Sequence, residues 1–137
     1  MHVIAVCRSR TPRISYTHCI PSCGVTWHER YRALAETSAW LRARVRCLGF
    51  ELVGAAAEPS RAVVTIALPD SVNSVTVGAE LEKDGYLLSA NSQYLKDRNW
   101  IQICLMGEPS REQLIAVSTA LLQLCADPSC TAATLRC

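Results

Sequence analysis

The sequence predicts an α+β fold, a two-layer sandwich in which three helices pack mainly on one face of a mixed or antiparallel sheet of about four strands. Three observations lead to this prediction. Apolar residues recur at helical spacing in long segments, short β-branched or apolar runs lie between them, and the order is helix, strand, strand, helix, strand, strand, helix. The 137 residues suffice for one domain with a modest core.

Composition and charge limit the kinds of partner that the sequence predicts. Half of the residues are hydrophobic, which is ordinary for a globular chain and argues against disorder throughout. A formal net charge of +2 gives no indication of a nucleic-acid partner. No apolar run approaches the ~20 residues that cross a bilayer. We therefore expect neither a nucleic-acid nor a membrane partner.

Residues 1–27 are predicted to form an irregular basic tail. Arginines are mixed there with Ser, Thr and Pro, and neither an acidic residue nor an apolar period is present. A transit peptide is the alternative, but the prolines and the lack of an amphipathic pattern fit it poorly. A second alternative is a zinc site, although no further ligand pair follows at a finger-like distance. Its ligands would be His18, Cys19, Cys23 and His28.

A long helix is predicted from Trp27 to Leu48, with Gly49 as its C-terminal cap. Apolar or small residues recur there at alternating spacings of four and three, which places them on one face. That stripe consists of Trp27, Tyr31, Leu34, Ser38, Leu41, Val45 and Leu48. The arginines of this segment lie mostly off the stripe. They indicate either a nucleic-acid surface or, as we favour, a solvated face whose basic end suits the helix dipole.

Three strands and a second helix are predicted in the middle of the chain. The strands are residues 50–53, 61–68 and 86–90, the second of them rich in β-branched residues. Asn73 or Ser74 caps the helix between the last two strands, and Asp84-Gly85 ends it. Residues 91–98 are predicted to form a polar loop.

Residues 99–107 form the most apolar run, and we expect the rest of the chain to be organised around it as a buried strand. Ser110 and Gln113 then form a capping box that opens a final helix. Asp127-Pro128 ends that helix. The predicted domain therefore covers residues 28–127, and residues 128–137 are a C-terminal tail.

Eight cysteines are many for this length. Cys47, Cys104 and Cys125 fall within helix or strand patterns, so we expect small buried hydrophobes with reduced thiols. Reduced thiols favour a cytoplasmic location. A mitochondrial location is the less favoured alternative. A metal or redox module that uses the cysteines remains the alternative.

Several segments of the second half carry a family resemblance through their order and spacing. They are residues 62–66, 81–89, 92–95, Arg98, 100–107 and 112–124. Together they resemble the C-terminal small domain of the class V aminotransferase family. These are fold-type I enzymes that use pyridoxal phosphate (PLP), and they include cysteine desulfurases. The helix from Trp27 to Leu48 resembles the one that joins the large domain to the small one, so the likeness covers about residues 28–126.

The resemblance implies PLP for full-length members, but none is expected on this chain alone. PLP chemistry needs a Schiff-base lysine, an acid at the pyridine nitrogen and a phosphate cradle. In the resembled family all three belong to the large domain. This sequence has only Lys83 and Lys96 and no glycine-rich phosphate loop. We therefore expect a fragment that is inactive alone and packs against a missing large domain or a homodimer partner.

The resemblance also implies a set of substrate-binding residues. Family members often have an arginine at the position of Gln102, where it holds the substrate carboxylate. A glutamine amide can offer the carboxylate only a neutral hydrogen bond, whereas an arginine offers a charged, bidentate contact. Either the small amino-acid-like substrate differs, or Arg98 takes the role. The implied set is Gln102, Arg98, Tyr94, Ser92 and Asn91, although each is equally an ordinary turn or surface residue.

A second hypothesis needs no chemistry at all. The chain would then be a non-catalytic α+β interaction module with an exposed apolar patch. Aromatic residues are common interface anchors, and the candidates are Trp27, Tyr31 and Trp40.

Overall fold

The computed structural model describes residues 26–54 and 59–126. Four helices are present there: α1 (Trp27–Cys47), α2 (Ser74–Lys83), α3 (Gln93–Lys96) and α4 (Arg111–Cys125). Three strands, β1 (Glu51–Val53), β2 (Val63–Ala67) and β3 (Trp100–Cys104), form one antiparallel sheet in the order β1-β2-β3. The α+β class and the antiparallel sheet are as predicted. The predicted tails, except for Thr26 and Trp27 at the start of α1, and the zinc ligands apart from His28 lie outside the described residues.

Two details of the predicted fold are wrong. The segment 86–90 is not a fourth strand, because its only pairing is an isolated antiparallel bridge between Ser89 and Gln102. Leu88 and Ala90 on either side of Ser89 are buried in the core, so the segment lies in an edge position but is too short for a ladder. The polar loop 91–98 contains the single-turn helix α3, which makes the described helices four rather than three.

The core lies between one face of the sheet and the helices. Strand residues alternate between faces, and the inward residues of β2 and β3 pair directly, Val64 with Ile103 and Ile66 with Ile101. All four are fully buried. The helices complete the core with buried apolar residues, chiefly Leu41, Val45, Val77, Leu81, Leu114, Val117 and Leu121.

Helix α1 reaches the core only after its second turn. Its N-terminus is fixed by a capping box between Thr26 and Glu29, a signal that the sequence analysis did not use. The Glu29 carboxylate accepts hydrogen bonds from the backbone N–H and the hydroxyl of Thr26. Both lower the pKa of Glu29, the backbone hydrogen bond more than the hydroxyl one. Residues 27–33 are exposed on every side, whereas Leu41 and Val45 are fully buried. The apolar stripe therefore belongs to the core only in its C-terminal part.

Two arginines of α1 are not the solvated residues that we expected. Arg42 is buried and donates hydrogen bonds to the carbonyls of Ser60, at 2.9 Å, and Val63, at 3.1 Å. Arg44 donates to Ser118 Oγ at 2.8 Å and Thr119 Oγ1 at 3.1 Å. These side chains connect α1 to β2 and α4, because a guanidinium can donate in several directions at once.

The cysteine prediction is correct in part. Cys104 is buried and Cys125 is half-buried, and both are free thiols. Cys47 is exposed at the end of α1 and is disulfide-bonded, so its prediction as a buried, reduced residue is wrong. The cytoplasmic location stays a prediction.

Candidate functional site

Two of the predicted site residues, Tyr94 and Arg98, lie against Trp100. We call these three residues the aromatic–arginine cluster. The guanidinium carbon of Arg98 lies 4.0 Å from the ring centre of Tyr94 and 5.5 Å from that of Trp100. The two rings meet edge to face with centroids 5.8 Å apart. Stacking of this kind holds the guanidinium plane in place. Among the described residues, no carboxylate lies within 4.0 Å of Arg98 to form a salt bridge.

Gln102 lies on the face of the sheet that points away from the core. Trp100 and Gln102 alternate along β3 with the buried Ile101 and Ile103, so both side chains point to this open face. The amide Nε2 of Gln102 donates to Thr65 Oγ1 on β2 at 3.1 Å. The aromatic–arginine cluster and the Gln102 amide are therefore presented on or beside one face of the sheet.

The other two predicted residues are Ser92 and Asn91. Ser92 has a local structural role, and no contact of Asn91 indicates a role. Ser92 is the N-cap of α3, and its hydroxyl accepts the Leu95 N–H at 3.3 Å. Asn91 is exposed at the end of the preceding segment. Their assignment to substrate binding stays a prediction.

Asn99 is a residue that the sequence analysis did not single out. It adopts a left-handed conformation, with φ of 57°, directly between Arg98 and Trp100. Its side-chain oxygen accepts the Ser74 N–H at 2.8 Å, and its nitrogen donates to the Val72 carbonyl at 2.8 Å. Asn99 thereby fixes the point at which the chain turns from α3 into β3. An asparagine just before a predicted strand was the available signal, because Asn tolerates this conformation better than most residues.

A concavity in the described part of the chain lies elsewhere, beyond the opposite end of β3. It has a volume of about 550 Å³ and lies between the first turns of α1 and the β3–α4 connection. Its apolar lining consists of Trp27, Tyr31, Ala33, Leu34, Leu105, Met106 and Pro109. We call this concavity the α1 groove. The ion pair of Arg30 with Glu108 also lines it.

The described residues do not fit PLP. Lys83 is exposed and its Nζ lies 2.6 Å from a carboxylate oxygen of Glu80, and Lys96 is exposed on α3. Neither lysine lines the α1 groove. Within residues 26–54 and 59–126, no three potential ligands are grouped for a metal ion. No helix in the same ranges is both long and apolar enough to cross a membrane.

Comparison with known proteins supports a relationship at the level of fold. No protein-family model matches the chain, and no curated protein does. Among solved structures, a chain described as a NifS-like protein matches with a TM-score of 0.58 at 12% sequence identity. The match covers 70% of this chain and 28% of that one. This chain thus has the fold of a part of a NifS-like protein and corresponds to little more than a quarter of its length.

Proposed function

We propose that this chain is the small-domain portion of a PLP-dependent enzyme of the class V aminotransferase type. Its role is to pack against a lysine-bearing large domain and to supply contacts to a small amino-acid-like substrate. The observation that carries the proposal is the structural likeness to a NifS-like protein, which agrees with the resemblance of the sequence to the small domain of class V aminotransferases. The partial coverage of that chain agrees with a domain-sized piece of a longer enzyme.

The residues on this chain support a contribution to binding rather than to the chemical step. A Schiff-base lysine has to be held in a pocket where its amine is deprotonated, because only the neutral amine is nucleophilic. Lys83 and Lys96 are exposed instead. The lysine, the acid at the pyridine nitrogen and the phosphate cradle are therefore assigned to the large domain.

We assign the grip on the substrate carboxylate to Arg98. Its guanidinium lies over the rings of Tyr94 and Trp100, and its Nη1 donates to the Tyr94 carbonyl oxygen at 3.4 Å. The planar fork of an arginine matches a carboxylate with two parallel hydrogen bonds. Stacking reduces the side-chain entropy that the arginine loses when it binds. Gln102, whose amide bonds to Thr65, then contributes a neutral contact on the open face.

Titration with amino acids followed by NMR tests this assignment. L-alanine or L-cysteine is added to the ¹⁵N-labelled 137-residue chain, and the side-chain signals of Arg98, Trp100 and Gln102 are followed. We expect weak, saturable shifts confined to these residues, with a Kd on the order of 1–10 mM for an open site. The corresponding decarboxylated amines, ethylamine and cysteamine, lack the carboxylate and should cause no shifts in the protein signals.

Variants sharpen the titration. Arg98→Lys keeps the charge but removes the fork, so we expect binding at least about fivefold weaker. Arg98→Ala should abolish the shifts at Gln102 as well. Amino-acid shifts that persist in Arg98→Ala would show that the carboxylate binds elsewhere.

Sequencing of the native transcript tests the fragment assignment separately. We expect the messenger RNA, or a neighbouring reading frame on it, to encode a domain with a buried lysine and a glycine-rich phosphate loop. A transcript that encodes these 137 residues and no such domain, from a source where no separate chain of that kind associates with it, would contradict the proposal.

A second candidate function is a non-catalytic interaction module. Trp27 is 70% exposed and Tyr31 is 49% exposed, one helical turn apart on the same side of α1. Trp40, the third predicted anchor, is half-buried and carries the guanidinium of Arg111 at 5.1 Å. The ring of Tyr31 also carries a guanidinium, that of Arg61 at 4.5 Å, so Trp27 is the aromatic residue of the three that remains most available as an anchor.

A further inference from the structure

The open face of the sheet carries an acidic residue on its outer strand, β1. Leu52 of β1 pairs with Ile66 of β2, which is fully buried, so Leu52 faces the core. Glu51, one position earlier, therefore points to the open face that Gln102 also faces. The Glu51 side chain is exposed. Within residues 26–54 and 59–126, no cationic nitrogen lies within 4.0 Å of its carboxylate to form a salt bridge. Glu51 thus presents a carboxylate that no cation of the described residues neutralises.

One row of the sheet connects Glu51 to the aromatic–arginine cluster. Glu51 lies directly opposite Ala67 on β2, and Ala67 lies directly opposite Trp100 on β3. Neighbouring strands are about 4.8 Å apart, so the backbones of Glu51 and Trp100 are separated by about 10 Å. The guanidinium carbon of Arg98 lies 5.5 Å from the Trp100 ring centre. This row, which we call the dipolar row, therefore has a carboxylate at one end and a guanidinium at the other.

The surface between the two charges is small and neutral. Ala67 contributes only a methyl group and is half-buried. The next row of the open face holds Thr65 and Gln102, whose side chains are hydrogen-bonded to each other at 3.1 Å. Neither of them is charged. A ligand with one anionic and one cationic end can therefore lie across Ala67 and contact both charges at once, whereas a ligand with two ends of the same charge is repelled at one of them.

We propose that the substrate is an amino acid with a cationic side chain, a diamino acid of about the length of L-lysine, and that Glu51 is the residue that selects it. The inference rests on the proposed function, in which Arg98 holds the α-carboxylate. Six bonds separate the carboxylate carbon of lysine from its side-chain nitrogen, which is about 7–8 Å in an extended chain. This length is of the same order as the distance across the dipolar row. The methylene groups then lie over Ala67, and the α-amino group has no partner on this chain.

NMR titration of the ¹⁵N-labelled 137-residue chain at low salt compares ligands that differ at one end. Nε-acetyl-L-lysine keeps the length of L-lysine without its side-chain charge. We expect L-lysine to bind about three- to fivefold more tightly, as for an exposed ion pair, and to shift the backbone amides of Glu51 and Ala67. L-2,3-diaminopropionate is too short to reach Glu51 and should leave those amides unshifted. The preference for lysine should fall below about twofold at about 0.5 M NaCl, because salt screens the pair.

Variants of Glu51 test its role in selection. Glu51→Gln keeps the shape and removes the charge, so L-lysine and Nε-acetyl-L-lysine should bind within about 1.5-fold of each other. Glu82→Gln removes an exposed carboxylate from α2, on the core side of the sheet, and should leave the preference for lysine intact. Glu51→Lys should reverse the preference, so that L-α-aminoadipate binds about threefold more tightly than Nε-acetyl-L-lysine. Circular dichroism establishes that the variants are folded.

The outcomes separate this inference from the proposed function. Equal binding of L-lysine and Nε-acetyl-L-lysine to the unaltered chain, or a preference for lysine that persists in Glu51→Gln, overturns the inference. If Arg98→Ala still abolishes binding in either case, the assignment of the carboxylate grip to Arg98 stands. Binding of no amino acid at all, or lysine binding that Arg98→Ala does not weaken, overturns the carboxylate grip and this inference together.

Discussion

The side-chain oxygen of Asn99 lies 2.8 Å from the backbone nitrogen of Ser74 and accepts its N–H across 25 residues of sequence. The Asn73 side chain accepts the next two N–H groups of α2, from Val75 and Thr76. The first turn of a helix leaves these donors without intrahelical partners. Two asparagines from different parts of the chain therefore complete the N-terminus of α2, and one of them also sets the conformation between Arg98 and Trp100.

Asn99→Ala should destabilise the domain by about 2–4 kcal/mol, because it removes several hydrogen bonds and leaves an alanine at positive φ. Chemical denaturation followed by circular dichroism measures this. Asn91→Ala, at an exposed asparagine nearby in sequence, is the control and should change the free energy of unfolding by less than about 0.5 kcal/mol. Equal effects of the two substitutions would refute the bracing role of Asn99.

Gly78 on α2 packs closely against the segment 86–90. A Cβ on Gly78 would lie 3.1 Å from the Cβ of Ala90, which is buried and cannot move freely. We expect Gly78→Ala to be nearly neutral, because about 1 kcal/mol of helix propensity offsets the crowding. Gly78→Val should cost about 2 kcal/mol or more. In a double-mutant cycle, Ala90→Gly should reduce the cost of Gly78→Val by at least about 0.5 kcal/mol. The absence of such coupling would show that residues 78 and 90 are not closely packed.

Arg42 is a buried cation of α1. Its pKa is lowered, mainly by burial and to a smaller extent by the nearby positive charge of Arg46. Arg42→Met keeps the length of the side chain but leaves the Ser60 and Val63 carbonyls without their donor. We expect a loss of about 2–3 kcal/mol in the free energy of unfolding. Arg32→Met, at an exposed position of the same helix, should cost less than about 0.5 kcal/mol. A similar cost at both positions would contradict the structural role of Arg42.

Burial raises the pKa of the Cys125 thiol to about 11. The unfolded chain loses this proton at a lower pH than the folded one, so the contribution of the thiol to stability is present at neutral pH. It is lost as the pH rises from about 9 towards 11. Denaturation curves across this range should show a decline that is smaller in Cys125→Ala. Alkylation of Cys125 at neutral pH should be much slower than that of a small thiol in solution. Equal rates would show that Cys125 is not shielded.

Much of the fold follows from the sequence because its signals are local. The β-branched run around Val64, the apolar run around Ile101 and the capping box of Ser110 and Gln113 each became the predicted element. Helix α3 was missed because one turn is too short to show a period. The bridge of Ser89 replaced a predicted strand because sequence pattern shows apolar alternation but not how many residues find a partner.

The candidate site was less accessible from sequence. Its position on the open face follows from alternation along β3, since Gln102 lies between two buried isoleucines. The stacking of Arg98 and the bracing by Asn99 depend on how α3 meets β3, which no local pattern encodes. The α1 groove joins residues more than 70 positions apart, such as Arg30 and Glu108, and is a property of tertiary packing alone.

We propose that this chain is part of a PLP-dependent enzyme and does not itself hold the cofactor. The most direct test of this proposal is titration of the chain with PLP, followed by borohydride reduction, mass mapping of the lysines, and an assay for turnover of an amino donor. We predict adducts on Lys83 and Lys96 alike, rising without saturation as for any exposed lysine, and no turnover. A saturable adduct on a single lysine, accompanied by amino-donor turnover, would contradict the account.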